Sequence, residues 1–131
     1  EAETEFFESV DYKRLTVEIE KVKLRIKTYL ESNKSKKIAI FGVTAKLATI
    51  LNYFDIAEHF AYAVDEAPLK QGRLVAGTNI EIFGVDKLTQ DKPDIIFIGA
   101  YNFADSIMER FKLGVPWVVP LPEFKIYESR N

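Results

Sequence analysis

Apolar residues recur along this chain with two different periods, and the switching between them lays out helices and strands in alternation. From about Asp11 to Ser32 there is neither proline nor glycine, and Leu15, Ile19, Val22, Ile26 and Tyr29 follow one another in steps of four and three. That spacing predicts one long helix with a continuous apolar stripe. Val10, Val17 and Leu24 are seven residues apart and fall on roughly the opposite side of the same cylinder. A single sheet does not need this second stripe, which is either ordinary surface apolarity or a seat for a partner. Between the stripes, Glu18, Glu20, Lys21, Lys23, Arg25 and Lys27 form a solvated face.

After a polar connector the period changes. Ile38 to Phe41 is a short apolar run closed by Gly42, the signature of a strand buried on both faces. Leu47, Ile50, Leu51 and Phe54 then return to helical spacing, predicting a helix from Lys46 to about Ala57. Phe60 to Val64 reads as a second strand ending at Asp65, and Pro68 and Gly72 mark the next segment as a loop. A turn at Ala76 to Asn79 leads to a short strand at Ile80 to Phe83, followed by a brief helical turn at Val85 to Leu88. Pro93 precedes the strand Asp94 to Ile98, apolar throughout after its first residue, whose exit loop is Gly99 to Phe103. A helix through Ile107, Met108, Phe111 and Leu113 ends at Gly114 and Pro116, and Trp117 to Val119 is the last strand.

Strands alternating with helices at this pitch predict an α/β fold: a Rossmann-like, doubly wound, mainly parallel sheet of about five strands with a long N-terminal helix. One domain would cover 1–131, with the helix at 11–32 and the α/β core at 36–122. Right-handed crossovers give a strand order such as 3-2-1-4-5. Ligands of such sheets sit beyond the carboxyl ends of the strands, at the switch point. Gly42 to Lys46 would there lie beside Ala100 to Phe103, with Asp65 at the end of the neighbouring strand.

Composition narrows the chemistry. A chain of 131 residues that is 47% hydrophobic and 13% aromatic has room for one good core and is neither disordered nor fibrous. A net charge of −2 gives no electrostatic case for nucleic acid or an anionic membrane. The absence of cysteine removes disulfides and thiolate metal sites, and a single histidine, His59, argues against zinc catalysis and the usual triads. No apolar run approaches membrane-spanning length, so a cytoplasmic domain is the default expectation.

Of the dinucleotide fingerprint only Gly42 is present, since Thr44 and Leu47 stand where further glycines would be. Asp65 has the spacing of a ribose-binding acid. Phosphate alone is easier to hold, because helix-start amides and Lys46 suffice, although an isolated lysine on a helix is more often simply solvated. Tyr101 and Asn102, polar residues at the exit of a buried strand, are candidates to face the cleft, although Asn102 equally suits a turn. Trp117 reads as core.

These residues also carry a resemblance. Ile40-Phe-Gly-Val-Thr-Ala-Lys46, Leu51-Asn-Tyr53, Val64-Asp-Glu-Ala-Pro-Leu-Lys-Gln-Gly72, Gly77-Thr-Asn-Ile80, Pro93-Asp94, Tyr101-Asn-Phe-Ala-Asp-Ser-Ile-Met108 and Val119-Pro-Leu-Pro-Glu123 occur in order. The series resembles the C-terminal domain of the sugar C-methyltransferases, S-adenosylmethionine-dependent enzymes acting on nucleotide-linked deoxysugars. Its most specific piece is the Asp65-to-Gly72 loop followed by Gly77-Thr78. Phe41, Val43, Leu47, Ala76 and Tyr101 depart from the family pattern, and Leu47 would put a bulky side chain where a phosphate approaches.

The resemblance implies a substrate-side domain that binds a nucleotide-sugar. Its ligand-binding candidates are Gly42, Lys46, Asp65, Lys70, Gln71, Gly72, Thr78, Tyr101 and Asn102, with no catalytic residue and no metal. It implies S-adenosylmethionine only for a separate domain, which the family's full-length enzymes carry ahead of this one. The expected partners are such a methyltransferase domain or a second copy, met through the N-terminal helix. Two other readings stay open: a non-catalytic interaction module, and a small dinucleotide- or CoA-binding domain.

Overall fold

The computed structural model describes residues 2–121 and 124–128, with side chains from residue 17 onward. Helix α1 runs from Ala2 to Ser32, nine residues further toward the N-terminus than the periodicity suggests. At the other end Asn33 closes α1 by donating its side-chain amide to the Tyr29 carbonyl at 2.8 Å.

Six strands form a single sheet in the order β3-β2-β1-β4-β5-β6. They are β1 (Ile38–Phe41), β2 (Tyr62–Val64), β3 (Ile82–Phe83), β4 (Ile95–Ile98), β5 (Trp117–Val119) and β6 (Lys125–Tyr127). The first five are parallel in the expected 3-2-1-4-5 arrangement, and β6 adds an antiparallel edge against β5. This sixth strand lies beyond the 36–122 core read from the sequence. Three residues with two exposed side chains give too little alternation to announce a strand.

The helices between strands are α2 (Ala45–Tyr53), α3 (Lys87–Gln90) and α4 (Ala104–Arg110), the last preceded by a 3-10 turn at Tyr101–Phe103. Helix α2 stops before Ala57 because Asp55 takes a left-handed backbone, φ 55°, a conformation that asparagine and aspartate tolerate better than most residues.

Successive residues of β1 serve opposite faces. Ile38 and Ile40 pack with Leu47 and Leu51 of α2 and with Ile26 and Leu30 of α1. Ala39 and Phe41 pack with Leu88 of α3, Ile107 of α4 and Trp117. Ile26 and Leu30 are fully buried, so the carboxyl-terminal half of α1 belongs to the core. Each contributes about 1.5–3 kcal/mol by leaving water. Of the first stripe, Ile19, Val22 and Tyr29 are partly buried against the same cluster, while the Leu15 side chain lies outside the described residues. On the second stripe Val17 and Leu24 are exposed, and the Val10 side chain again lies outside the described residues. No helix among the described residues is long and apolar enough to cross a membrane.

Candidate functional site

The crevice at the switch point is built by two glycines in contact. Gly42 leaves β1 with φ +90°, and a Cβ there would lie 2.5 Å from that of Ala100. A Cβ on Gly99, at the end of β4, would fall 2.1 Å from the Gly42 carbonyl oxygen. No real Cβ contact is that short, so the two strand exits can touch only as glycines. Backbone bonds fix the arrangement: Gly42 donates to the Val64 carbonyl at 2.8 Å and Gly99 to that of Phe41 at 2.9 Å.

Thr44 then starts α2. Its hydroxyl accepts the Leu47 amide at 3.1 Å and lies 3.4 Å from the Gly99 carbonyl. The amides of Ala45 and Lys46, ahead of Leu47, have no carbonyl of their own helix to reach. Leu47 does not crowd this end. Its side chain is buried, with Cδ2 beneath Gly99, 2.7 Å from where that residue's Cβ would stand. The bulk expected to keep a phosphate away faces the core instead.

The exit of β2 is locked to this turn. Asp65 is the one polar or charged residue buried among the described residues. Its carboxylate accepts the amides of Val43 and Ala67, each at 2.8 Å. The Lys70 ammonium donates to the Val43 carbonyl at 2.6 Å and stands 3.5 Å from Asp65. The Gln71 amide donates to the Asp65 carbonyl at 3.0 Å. Gly72, φ +84°, turns the chain back so that its N–H meets the Ile82 carbonyl at 2.8 Å. Residues 73–75 then run antiparallel to β3 and carry Gly77 and Thr78 to the opposite, amino-terminal end of that strand. There Thr78 donates to the Val75 carbonyl at 2.7 Å and accepts the Ile80 amide at 3.1 Å. Asn52 of α2 donates to the Ala76 carbonyl at 2.9 Å.

Among the clefts that the described residues form around the β1 and β4 exits, three include Phe103. One of about 260 Å³ is lined by Gly42, Thr44, Asp65, Lys70, Phe103 and Arg110 among others. A second, about 240 Å³, takes in Thr44, Lys46, Tyr101, Asn102 and Phe103. The third, about 390 Å³, lies between the 101–106 segment and β6. The structure thus brings Gly42, Lys46, Asp65, Lys70, Tyr101 and Asn102 together. Gln71, Gly72 and Thr78 line none of the three clefts, and Thr78 is at the far end of the sheet.

Sequence reasoning passed over Arg110, whose guanidinium holds Glu66 through bonds of 3.1 and 2.7 Å and lies over the Phe111 ring. Its hydrogen bond keeps the Glu66 carboxyl below the ordinary carboxylate range, and Glu66 raises the Arg110 guanidinium in return. The two residues are 44 apart in sequence, and no local spacing announces the pair. Nor is a metal site announced: no group of three His, Cys, Asp or Glu side chains among the described residues could hold an ion. His59 sits at the core's edge facing Glu31, 3.5 Å away.

The chain is thus a doubly wound α/β domain with a crevice at its switch point, the place where ligands of such sheets sit. The sequence matches the C-methyltransferase C-terminal domain over residues 1–122, and the chain belongs to that family. It is 23% identical over 127 residues to the C-methyltransferase NovU of Streptomyces niveus, covering 92% of this chain and 30% of that protein. The chain therefore spans about a third of the length of this curated relative.

Proposed function

We propose that this chain is the substrate-side domain of a C-methyltransferase and holds a nucleotide-linked sugar across the carboxyl ends of β1 and β4. The observation that carries the reading is the convergence of the α2 amino end, Lys46, Tyr101 and Asn102 on one crevice, in a C-methyltransferase C-terminal domain. The diphosphate takes the Ala45 and Lys46 amides, where the helix end favours negative charge, with the Lys46 ammonium beside them. Asn102 and Tyr101 supply hydrogen bonds to sugar hydroxyls. Lys70 adds positive charge from the other side of Gly42, while Asp65 shapes the turn rather than offering a vacant carboxylate.

S-adenosylmethionine belongs to another domain in this reading. The acid ending β2, where a nucleoside ribose would be held, already has its carboxylate engaged by two amides and Lys70. The same engagement weighs against a dinucleotide. The residues present do not fit the methyl donor, and the isolated chain is expected neither to bind it nor to transfer a methyl group. Calorimetric titration showing saturable micromolar binding of S-adenosylmethionine would refute this.

The main reading is tested by titrating uridine and thymidine diphosphoglucose against wild type, Lys46→Ala and Asn102→Ala at low and high salt. A ligand at a hundred times its Kd raises stability by about 2.7 kcal/mol, which a thermal shift detects. Lys46→Ala should weaken binding at low salt and matter less at high salt, because exposed charges are screened over ~8–10 Å. Failure of wild type to bind any sugar nucleotide below millimolar would end the reading.

A second reading rests on α1, where Val17 and Leu24 are 54% and 68% exposed on the helix whose other side is core. That face is placed to seat another protein surface, a methyltransferase domain or a second copy. Replacing both residues with Glu should leave the fold intact; a smaller particle by light scattering would identify the second copy, and lost binding to a methyltransferase domain the first.

A further inference from the structure

Phe103 has no role in the binding scheme above, yet it lines all three clefts. It closes the 3-10 turn after β4 and is 66% exposed. A single exposed phenylalanine is ordinary. One standing where three clefts meet, at the switch point of the sheet, is positioned against any ligand that crosses from one cleft to another. We infer that Phe103 is the platform on which the base of the nucleotide stacks, the base entering the cleft between residues 101–106 and β6. The inference rests on the sugar-nucleotide reading and adds where the base goes.

The distribution of charge sets the direction. Lys46 lines the cleft on one side of Phe103, and Lys70 and Arg110 line that on another. Phosphates are drawn toward the α2 amino end and these cations. The remaining cleft is the largest, at about 390 Å³, within the range of small-molecule sites. Val119 and Leu121 give it apolar wall, Lys125 and Asp105 bring one charge of each sign so that no net positive charge draws a phosphate there, and Ser106 adds a hydroxyl. An uncharged, flat, hydrogen-bonding ring suits that lining better than a phosphate does. Stacking on an aromatic face is tolerant of base identity, so the platform would supply affinity and leave the choice of base to the polar groups beside it.

The test is calorimetric titration of the 131-residue chain with uridine diphosphate, thymidine diphosphate and pyrophosphate, wild type beside Phe103→Ala and Phe103→Trp. A nucleoside diphosphate should bind wild type roughly tenfold or more tightly than pyrophosphate, the margin that stacking one base supplies. Phe103→Ala should remove that margin without changing pyrophosphate binding. Phe103→Trp should restore it, and its solvent-exposed emission, distinct from that of the buried Trp117, should be quenched by the nucleoside diphosphates and not by pyrophosphate. Equal nucleotide affinity in wild type and Phe103→Ala, or an unquenched Phe103→Trp that still binds, would overturn the inference and leave the sugar-nucleotide reading standing. If diphosphoglucoses and nucleoside diphosphates alike fail to bind wild type, both fall.

Discussion

The exits of β2 and β4 border the same crevice and use their polar side chains in opposite ways. After β2, Asp65, Lys70 and Gln71 bond to the backbone of their own loop or of the β1 turn. After β4, Tyr101, Asn102, Phe103 and Ser106 line clefts. The first stretch carries the more specific sequence signature, the second a plain one. A distinctive run of polar residues therefore marks here a loop that must be held in one shape, and apart from the Lys70 side of one cleft the surface left for a ligand lies on the less distinctive side. Holding that shape has a purpose at the site, because Asp65 and Lys70 bond Val43 just ahead of the amino end of α2.

The largest effect expected from this contrast is on stability. Asp65→Ala leaves the Val43 and Ala67 amides without their acceptor and takes the carboxylate from beside the Lys70 ammonium, which keeps only the Val43 carbonyl. Bonds to a charged group are worth about 1.5–3 kcal/mol each. Partial replacement by water reduces the sum, and a loss of about 3 kcal/mol is expected, lowering Tm by roughly 10 °C. Asn102→Ala, on the exposed side, should move Tm by less than about 2 °C and instead weaken sugar-nucleotide binding by ~1 kcal/mol. Thermal unfolding and titration of the two variants side by side decide the matter. If Asp65→Ala unfolds like wild type, or Asn102→Ala is the destabilised one, the division of labour is wrong.

Much of the frame was legible because buried parallel strands are written as unbroken apolar runs. Ile38 to Phe41 and Ile95 to Ile98 read directly, and their pairing follows from crossover handedness. The β6 edge was not legible, since exposed edge strands need little apolar pattern. At the site, Gly42 and Asn102 were placed by topology alone. What could not be read was direction: spacing brings Asp65 to the crevice but does not say whether its carboxylate faces a ligand or the amides of its own chain. Leu47 was misjudged for the same reason, its side chain passing under the turn rather than over it.

A smaller effect probes the far end of the sheet. Asn52 ties α2 to the turn holding Gly77 and Thr78 through the Ala76 carbonyl, and also donates to the Ala48 carbonyl of its own helix. The Gly77 position has no room for a side chain beside it: a Cβ there would come within 2.8 Å of the Asn52 amide. Asn52→Ala should cost about 1 kcal/mol and leave sugar-nucleotide affinity unchanged. A tenfold drop in affinity would show that this end of the sheet shapes the crevice after all.

The smallest effect tests whether the two exits are coupled by charge. Glu66 follows Asp65 in the β2 exit and Arg110 ends α4, so their bidentate bond joins the two sides. Both side chains are about half exposed, 47% and 48%, and solvent screening keeps the contribution small. Its sign with pH is nevertheless fixed. Arg110 holds the Glu66 carboxyl below its ordinary value of 4.5, so the unfolded chain takes up the proton first as pH falls. The pair's stabilisation is fully present above about pH 4.5 and is lost as pH drops through the lower folded value. Glu66→Gln should therefore lower Tm slightly at neutral pH, with the gap to wild type closing in acid below 4.5 and shrinking in high salt. Tm curves for both proteins from neutral pH into acid measure this. A gap that persists in acid would mean that Glu66 acts through packing or neutral hydrogen bonds, and that no ionic bond couples the locked side of the crevice to the open one.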